Sequence, residues 1–325
     1  MLGVAGRINT DYVMYLTTPL KRGEKQTASS MEKYLGGSGA NAAVAAARYL
    51  GSKKVYMVGA VGDDEDGYEQ LGSLRREGII TDLIKILNAP TGRSYILVEP
   101  SGASTIISVP GANAELRLEH ISDVLNTYIK KTKGFIIMNP PKDIVSYISQ
   151  KADEMKYLYF LDPGRGWINN MHELSYYLPK STEAYYMPNE VEFLEVIGSY
   201  DALEGALLFM EKFTNVSLII KRGEKGSILI EPGRGNIVRI KALKLEDLGL
   251  RIINTAGCGD VFTGVFAAAK ISGHSNIEAL KLATIASGVK AAKPSARDSL
   301  HYTELMDIYE RIERLGMLII DEISI

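Results

Sequence analysis

The stretch Asn254-Thr255-Ala256-Gly257-Cys258-Gly259-Asp260, running into the apolar segment Val261–Lys270, constrains this chain more than any other. Two Gly in three residues require backbone that turns tightly or comes close to a ligand. The good helix formers behind them put a helix start near Gly259. A helix start aims unpaired N–H groups and the positive end of its dipole outward, which suits phosphate. Asp260 stands at the mouth of that cup. A carboxylate gains no attraction from a phosphate, so it either accepts a proton or caps the helix. The residues alone leave both readings open.

The bulk properties bound the rest. A chain of 325 residues buries a large core, and its length suggests about two domains. A formal charge of −2 with scattered Lys and Arg argues against a nucleic-acid partner held through phosphates. One Cys excludes an internal disulfide and a Cys-based zinc site, and fits a reducing, cytoplasmic setting. No apolar run reaches about 18 residues, so no membrane span is expected. Arg7 and Asp11 interrupt the N-terminal apolar stretch, which is no signal peptide.

Leu2–Ile8 reads as a core strand, with the polar Asn9-Thr10-Asp11 at its end. Such side chains hold hydroxyls or form an Asx turn. Tyr12–Leu35 reads as two exposed strands around the Lys21–Lys25 turn. Gly36-Gly37-Ser38-Gly39-Ala40-Asn41 opens an Ala-rich helix over Ala42–Leu50, ended by Gly51. Gly37-x-Gly39-x-x-Ala42 also fits a dinucleotide fingerprint loosely, but Met31–Leu35 is a poor core strand to precede one. Val55–Val61 is a buried strand. Asp63 and Asp64 are N-cap candidates for a helix to Glu77. Thr91–Val98 and Ser104–Val109 form a hairpin that joins the exposed strands in a small sheet; Arg93 and Tyr95 on it are candidates to touch a ligand. Beyond Gly111, the apolar strands Phe135–Met138, Tyr157–Leu161, Ala184–Met187 and Ser217–Lys221 alternate with helical patterns such as Lys142–Met155 and Asp201–Phe213. That alternation gives a doubly wound, mostly parallel α/β sheet with helices on both faces. Ligands in such sheets lie beyond the carboxyl ends of the strands. Asn139 and Asp162-Pro163-Gly164-Arg165 follow two of these ends, and Asn189 and Glu192 share a helix face after a third.

Asn254–Phe266 resembles the D-T-x-G-A-G-D-x-F-x-G signature of the ribokinase-like (PfkB) carbohydrate kinases. Gly6–Asp11 is similar to that family's G-x-x-N-x-D, Gly36–Asn41 to its G-G-x-G-A-N, Gly111–Asn113 to its P-G-A-N return, Asn189–Glu192 to its N-x-x-E, and Lys221–Gly226 to its G-x-x-G nucleotide loop. The resemblance implies an α/β kinase domain over residues 1–11, 36–90 and 111–325. A β lid over residues 12–35 and 91–110 would cover the substrate and mediate homodimer contact. It implies ATP-dependent phosphorylation of a hydroxyl of a sugar or sugar-like molecule. Asp260 would be the catalytic base, with Gly257, Cys258 and Gly259 as the anion hole. Asn9, Asp11, Gly37, Asn41, Asn139 and Arg165 would face the substrate. Lys221, Gly223 and Gly226 would face the nucleotide, and Asn189 and Glu192 would hold water around the Mg²⁺ of Mg-ATP. A nucleoside kinase shares every one of these motifs. Two departures concern potassium: Asn254 stands where potassium-activated members carry a cation-binding Asp, and Lys290–Arg297 lacks their usual Gly, so no monovalent-cation requirement carries over. Ser38 stands where members acting on ribose often have Lys, so ribose is not implied. Cys258, at a helix N-terminus, is either an activated thiolate or a small buried hydrophobe.

Overall fold

The computed structural model describes residues 1–233 and 236–324. Its strands are β1 (Leu2–Gly6), β2 (Asn9–Leu16), β3 (Ala28–Gly36), β4 (Val55–Gly62), β5 (Ile80–Leu87), β6 (Gly92–Val98), β7 (Ser104–Val109), β8 (Gly134–Met138), β9 (Leu158–Leu161), β10 (Ala184–Tyr186), β11 (Val216–Lys221), β12 (Ser227–Ile230), β13 (Asn236–Ile240) and β14 (Ile320–Ser324). The main sheet runs β14-β13-β12-β11-β10-β9-β8-β1-β4-β5. From β5 to β11 every neighbour pair is parallel, while β12, β13 and β14 add antiparallel strands at one edge. Alternation along β4 feeds two cores. Val55, Met57 and Val61 face one side, and Tyr56, Val58 and Ala60 the other. A strand buried on both faces reads as one continuous apolar run, as this one does.

The helix Ser38–Leu50 begins at Ser38, one turn before Ala42, because Gly37 serves as its N-cap. Gly37 has φ +93°, and a Cβ there would meet Asn9 N at 2.5 Å, so only Gly turns this corner. The helix is Ala-rich and buried, and its small side chains let the helix Cys258–Ile271 pack against it in the core. The helix Asn276–Ala291 starts with a reciprocal cap between Ser275 and Glu278 and closes this layer. Among the described residues no helix is long and apolar enough to cross a membrane.

A second sheet, β3-β2-β6-β7, stands apart from the main one. It starts at the end of β1, where β2 pairs antiparallel with β3 and parallel with β6. Strand β2 includes Asn9, Thr10 and Asp11, so both polar candidates there sit at the root of this sheet. Asp66, 3 % exposed in the first turn of the helix Glu65–Arg76, anchors the sheet to the body. It accepts from Tyr12 Oη on β2 (3.0 Å) and Arg93 Nε on β6 (2.8 Å), and pairs with Lys33 Nζ on β3 (2.8 Å). Arg93 is thereby turned away from the ligand role the sequence allowed it, and Tyr95 stacks on Tyr12 at 5.6 Å. Asp64 caps the helix through Gly67 N (2.9 Å). Asp63 does not, because its carboxylate takes a hydrogen bond from Tyr68 Oη instead.

Burial works against the Asp66 charge, but hydrogen bonds from Lys33, Arg93 and Tyr12 outweigh it and hold the pKa below its usual value. A depressed carboxylate stabilises the fold above its unfolded-state pKa, and that contribution is lost as pH falls through the folded value. Asp66→Asn is expected to cost about 1–3 kcal/mol at neutral pH, the range for hydrogen bonds to charged groups, and less in acid. Urea midpoints at the two pH values check this; equal midpoints for variant and parent at neutral pH would refute the anchoring role.

Candidate active site

The strand order places the site. Beyond β1 the chain proceeds one way to β4 and β5, and β8 to β11 lie on the other side. The crevice at such a reversal opens at the carboxyl ends of the strands. Asn9 and Asp11 follow β1, Asn139 follows β8, Asp162 follows β9, Asn189 follows β10, and Lys221 ends β11. The N-termini of two buried helices, Ser38–Leu50 and Cys258–Ile271, face each other across this crevice.

Gly257 is the N-cap of the second helix, with φ +80°; a Cβ there would come within 2.2 Å of Ala296 O. Asp260 is therefore not the cap. It stands in the first turn and accepts from Asn41 Nδ2 at 2.8 Å. Its pKa is raised to about 6, chiefly by burial; the Asn41 hydrogen bond opposes the rise, the charge of Asp162 adds to it, Lys221 opposes it and Asp11 adds to it. Nearby, Asp162 is 5 % exposed, accepts from Thr263 Oγ1 at 2.6 Å, and is ion-paired with Lys221. The Lys221 ammonium lies under Gly259, 3.6 Å from where a Cβ would stand. First-turn N–H groups such as those of Gly259 and Asp260 have no acceptor within their own helix. The Cys258 N–H differs, since it donates to Thr255 O at 3.2 Å. The three-donor arrangement expected from the motif thus loses its middle member. Burial raises the Cys258 pKa; Lys290 opposes this and Asp260 adds to it. Burial therefore works against a thiolate at this helix start, although the side chain is only partly buried.

On the substrate side, Asn41 is 4 % exposed and its Oδ1 lies 3.5 Å from Arg297 Nε. Asp11 keeps partial access; burial raises its pKa, with Ser94 and Arg297 opposing. Asn9 departs from expectation. Its Oδ1 accepts from Asn113 Nδ2 at 3.0 Å and its Nδ2 donates to Ser94 Oγ at 3.3 Å, so its amide is spent on the protein. Asn113 also closes a pair of bonds with the Ile8 backbone, at 2.9 and 3.0 Å. Asn139 adopts φ +56°, uncommon for a side-chain-bearing residue, and its buried Oδ1 meets no donor among the described residues. Arg165 is not brought to the site. It is exposed and pairs with Glu195 at 2.6 Å, because the Gly164 and Gly166 turns carry it outward along the helix Glu190–Ile197.

At the other end of the crevice, Asn189 and Glu192 form a reciprocal cap. Asn189 Oδ1 accepts from Glu192 N, and Glu192 Oε2 accepts from Asn189 N, both at 2.9 Å. Burial raises the Glu192 pKa, Asp162 adds to this, and Lys221 opposes it. The segment Lys221–Gly226 makes the turn between β11 and β12, where Gly226 N bonds Gly223 O at 3.0 Å and Arg222 N bonds Gly226 O at 2.8 Å. No cluster of three or more His, Cys, Asp or Glu suited to a metal occurs among the described residues. A Mg²⁺ that keeps most of its waters needs no such cluster.

Two residues of the crevice take a place that the sequence does not assign them. Asp162 was readable by position alone, as the residue ending a parallel strand. Arg297 carried no signal. It is 5 % exposed, donates to Gly36 O (2.7 Å) and Gln70 Oε1 (2.8 Å), and Gln70 passes the contact to Asn9 O (2.6 Å). Burial pushes its pKa down to about 10, with Asp11 opposing.

A family model described as "pfkB family carbohydrate kinase" matches residues 2–302. The chain is 28% identical to a ribokinase of Haemophilus influenzae over 304 residues, covering 92% of this chain and 94% of the relative. It is 28% identical to a ribokinase of Lactococcus lactis over 317 residues, covering 97% of each. The solved ribokinase of Thermotoga maritima superposes with a TM-score of 0.81 at 27% identity, over 96% of this chain and 99% of that one. An Arabidopsis thaliana ribokinase complexed with ribose and ATP superposes with a TM-score of 0.81 at 24% identity, over 95% and 98% of the two chains, and so shares the fold. With the model spanning nearly the whole length and the two-sheet architecture matching, the chain belongs to the pfkB family of carbohydrate kinases.

Proposed function

We propose that this carbohydrate kinase moves the γ-phosphoryl group of ATP to a hydroxyl of a sugar lying between Asp11, Gly37, Asn41, Asn139 and the small sheet. One observation carries the reading: the Asp260 carboxylate, in the first turn of a helix, held by Asn41 and raised to about 6. A base with that pKa is charged at neutral pH and still takes a proton readily. The sugar oxygen attacks phosphorus, its proton passes to Asp260, and the bond to the leaving ADP oxygen breaks. Backbone N–H groups of Gly257 and Gly259 stabilise the moving charge, and Lys221 adds a positive charge beneath them. Asn189 and Glu192 would hold the waters of a Mg²⁺, which supplies charge neutralisation to the phosphates. The segment Gly223–Gly226 would border the nucleotide. The unpaired Asn139 Oδ1 is available to a substrate hydroxyl. Arg165, paired outward, is left out of the site. With one Cys and no membrane-crossing helix among the described residues, we place the enzyme in the cytoplasm.

A kinase assay over sugars, sugar acids, sugar phosphates and nucleosides tests the reading, the nucleosides because they present the same hydroxyls. Turnover of a nucleoside in preference to every sugar would replace it. On the best substrate, Asp260→Asn is expected to lose roughly 10²–10⁴ in kcat, the usual worth of a general base, with little change in ATP affinity. For the parent enzyme, kcat/KM should fall as pH drops through about 6, because protonated Asp260 accepts nothing. A variant keeping a large share of parental kcat would remove Asp260 from the mechanism.

Cys258 should behave as a small, partly buried hydrophobe. Iodoacetamide is expected to alkylate the denatured protein readily and the native one slowly at neutral pH, and Cys258→Ala should keep parental kcat. Rapid native alkylation that Mg-ATP slows would instead restore the activated thiolate.

The small sheet exposes Met31 (62 %), Ile106 (64 %) and Ile107 (51 %), which supports a homodimer formed through it. Sedimentation equilibrium should show twice the 35.6 kDa chain mass, and Ile106→Lys should return the monomer. A monomer at every concentration of the parent would exclude this interface.

A further inference from the structure

The mechanism above leaves a deeply buried lysine unused. Lys290, in the last turn of the helix Asn276–Ala291, is 0 % exposed. Its ammonium donates to the backbone oxygen of Asn254 at 2.7 Å. Taking an ammonium out of water is costly, so its partners there matter. The loop it reaches leads directly into Gly257 and is bound to the end of the same helix at several points. Ile253 N and Asn254 N donate to Ala291 O at 2.8 and 3.0 Å, and Asn254 Nδ2 donates to Pro294 O at 2.6 Å. Asn254 Oδ1 is occupied by Ala256 N at 2.9 Å. The carboxylates of Asp298 and Asp260 also act on Lys290, so its positive charge is felt at the helix start.

A free monovalent cation does not fit this arrangement. Asn254 offers a neutral amide whose oxygen is already used, and its backbone oxygen faces a fixed ammonium. We infer that Lys290 is a tethered cation: its Nζ holds the 254–259 loop in the shape that presents the Gly257 and Gly259 N–H groups, so catalysis needs no free monovalent ion. Lys290 is a positioning residue, since it touches the loop and not the reactants. The inference rests on the kinase reading only for its kinetic arm.

The test compares K⁺, NH₄⁺ and tetramethylammonium at constant ionic strength, in kinetics and in thermal melting without substrates. The parent enzyme should show equal kcat and equal Tm in all three. Lys290→Ala opens space for a small cation. In tetramethylammonium it should lose about tenfold in kcat, the order for a lost charge-assisted hydrogen bond, with KM for ATP changing less. NH₄⁺ or K⁺ should restore part of that kcat and raise its Tm. Lys290→Met fills the space with an apolar chain and should stay unrescued. A parent stimulated severalfold by K⁺ overturns the inference, as does a folded Lys290→Ala with parental kcat, or one whose loss and Tm ignore the cation. Should both variants fail to fold, the parent's salt comparison decides alone. Should the parent phosphorylate nothing, the kinase reading falls while the melting comparison still tests Lys290.

Discussion

Asn41 and Asp260 lie 219 residues apart, and their hydrogen bond joins the N-termini of two buried helices. The proposed chemistry depends on those two helix starts facing each other. Each start is set by a Gly in a conformation other residues avoid, Gly37 at φ +93° and Gly257 at φ +80°. Behind them, Ala-rich and small-residue faces let the helices approach closely enough for a side chain as short as Asn to reach across. A bulkier residue in that layer would move the carboxylate away from its donor and change its charge state before touching any ligand.

Charge at the site is governed by burial. Desolvation raises Asp11, Glu192 and Asp260, and it lowers Lys290 and Arg297. Opposite shifts from one cause are what a partly dry crevice imposes on acids and bases. Residual pairing then sorts the roles. Asp162 is committed to Lys221 and Thr263, whereas Asp260 accepts from the neutral amide of Asn41 and has its pKa raised to about 6. The charge of Asp162 adds to the raised pKa of Asp260.

The small sheet depends on the same logic at a distance from the chemistry. Three of its strands each send one donor to Asp66, so one buried carboxylate ties all three to the body. Arg93 serves that anchor, which explains why a cation beside the substrate crevice is not free to bind substrate. Asn9 is in a similar position, spent on Asn113 where the chain returns from the sheet.

Sequence alone determined the local pieces: the two Gly-bounded helix starts, the alternation that makes a parallel sheet, the hairpin of the small sheet, and Asp260 as a carboxylate at a Gly-rich helix start. Each depends on neighbours a few residues apart, where φ preference, periodicity and capping act directly. Only the tertiary structure decided which carboxylate pairs with a cation, that Arg165 and Asn9 are engaged elsewhere, and that Arg297 and Lys290 lie beneath the site. These depend on contacts such as Arg297 with Gly36 and Thr263 with Asp162, spanning 261 and 101 residues. The state of a charge is set by the water it loses and the partners it gains, and both are fixed only when distant segments close around it.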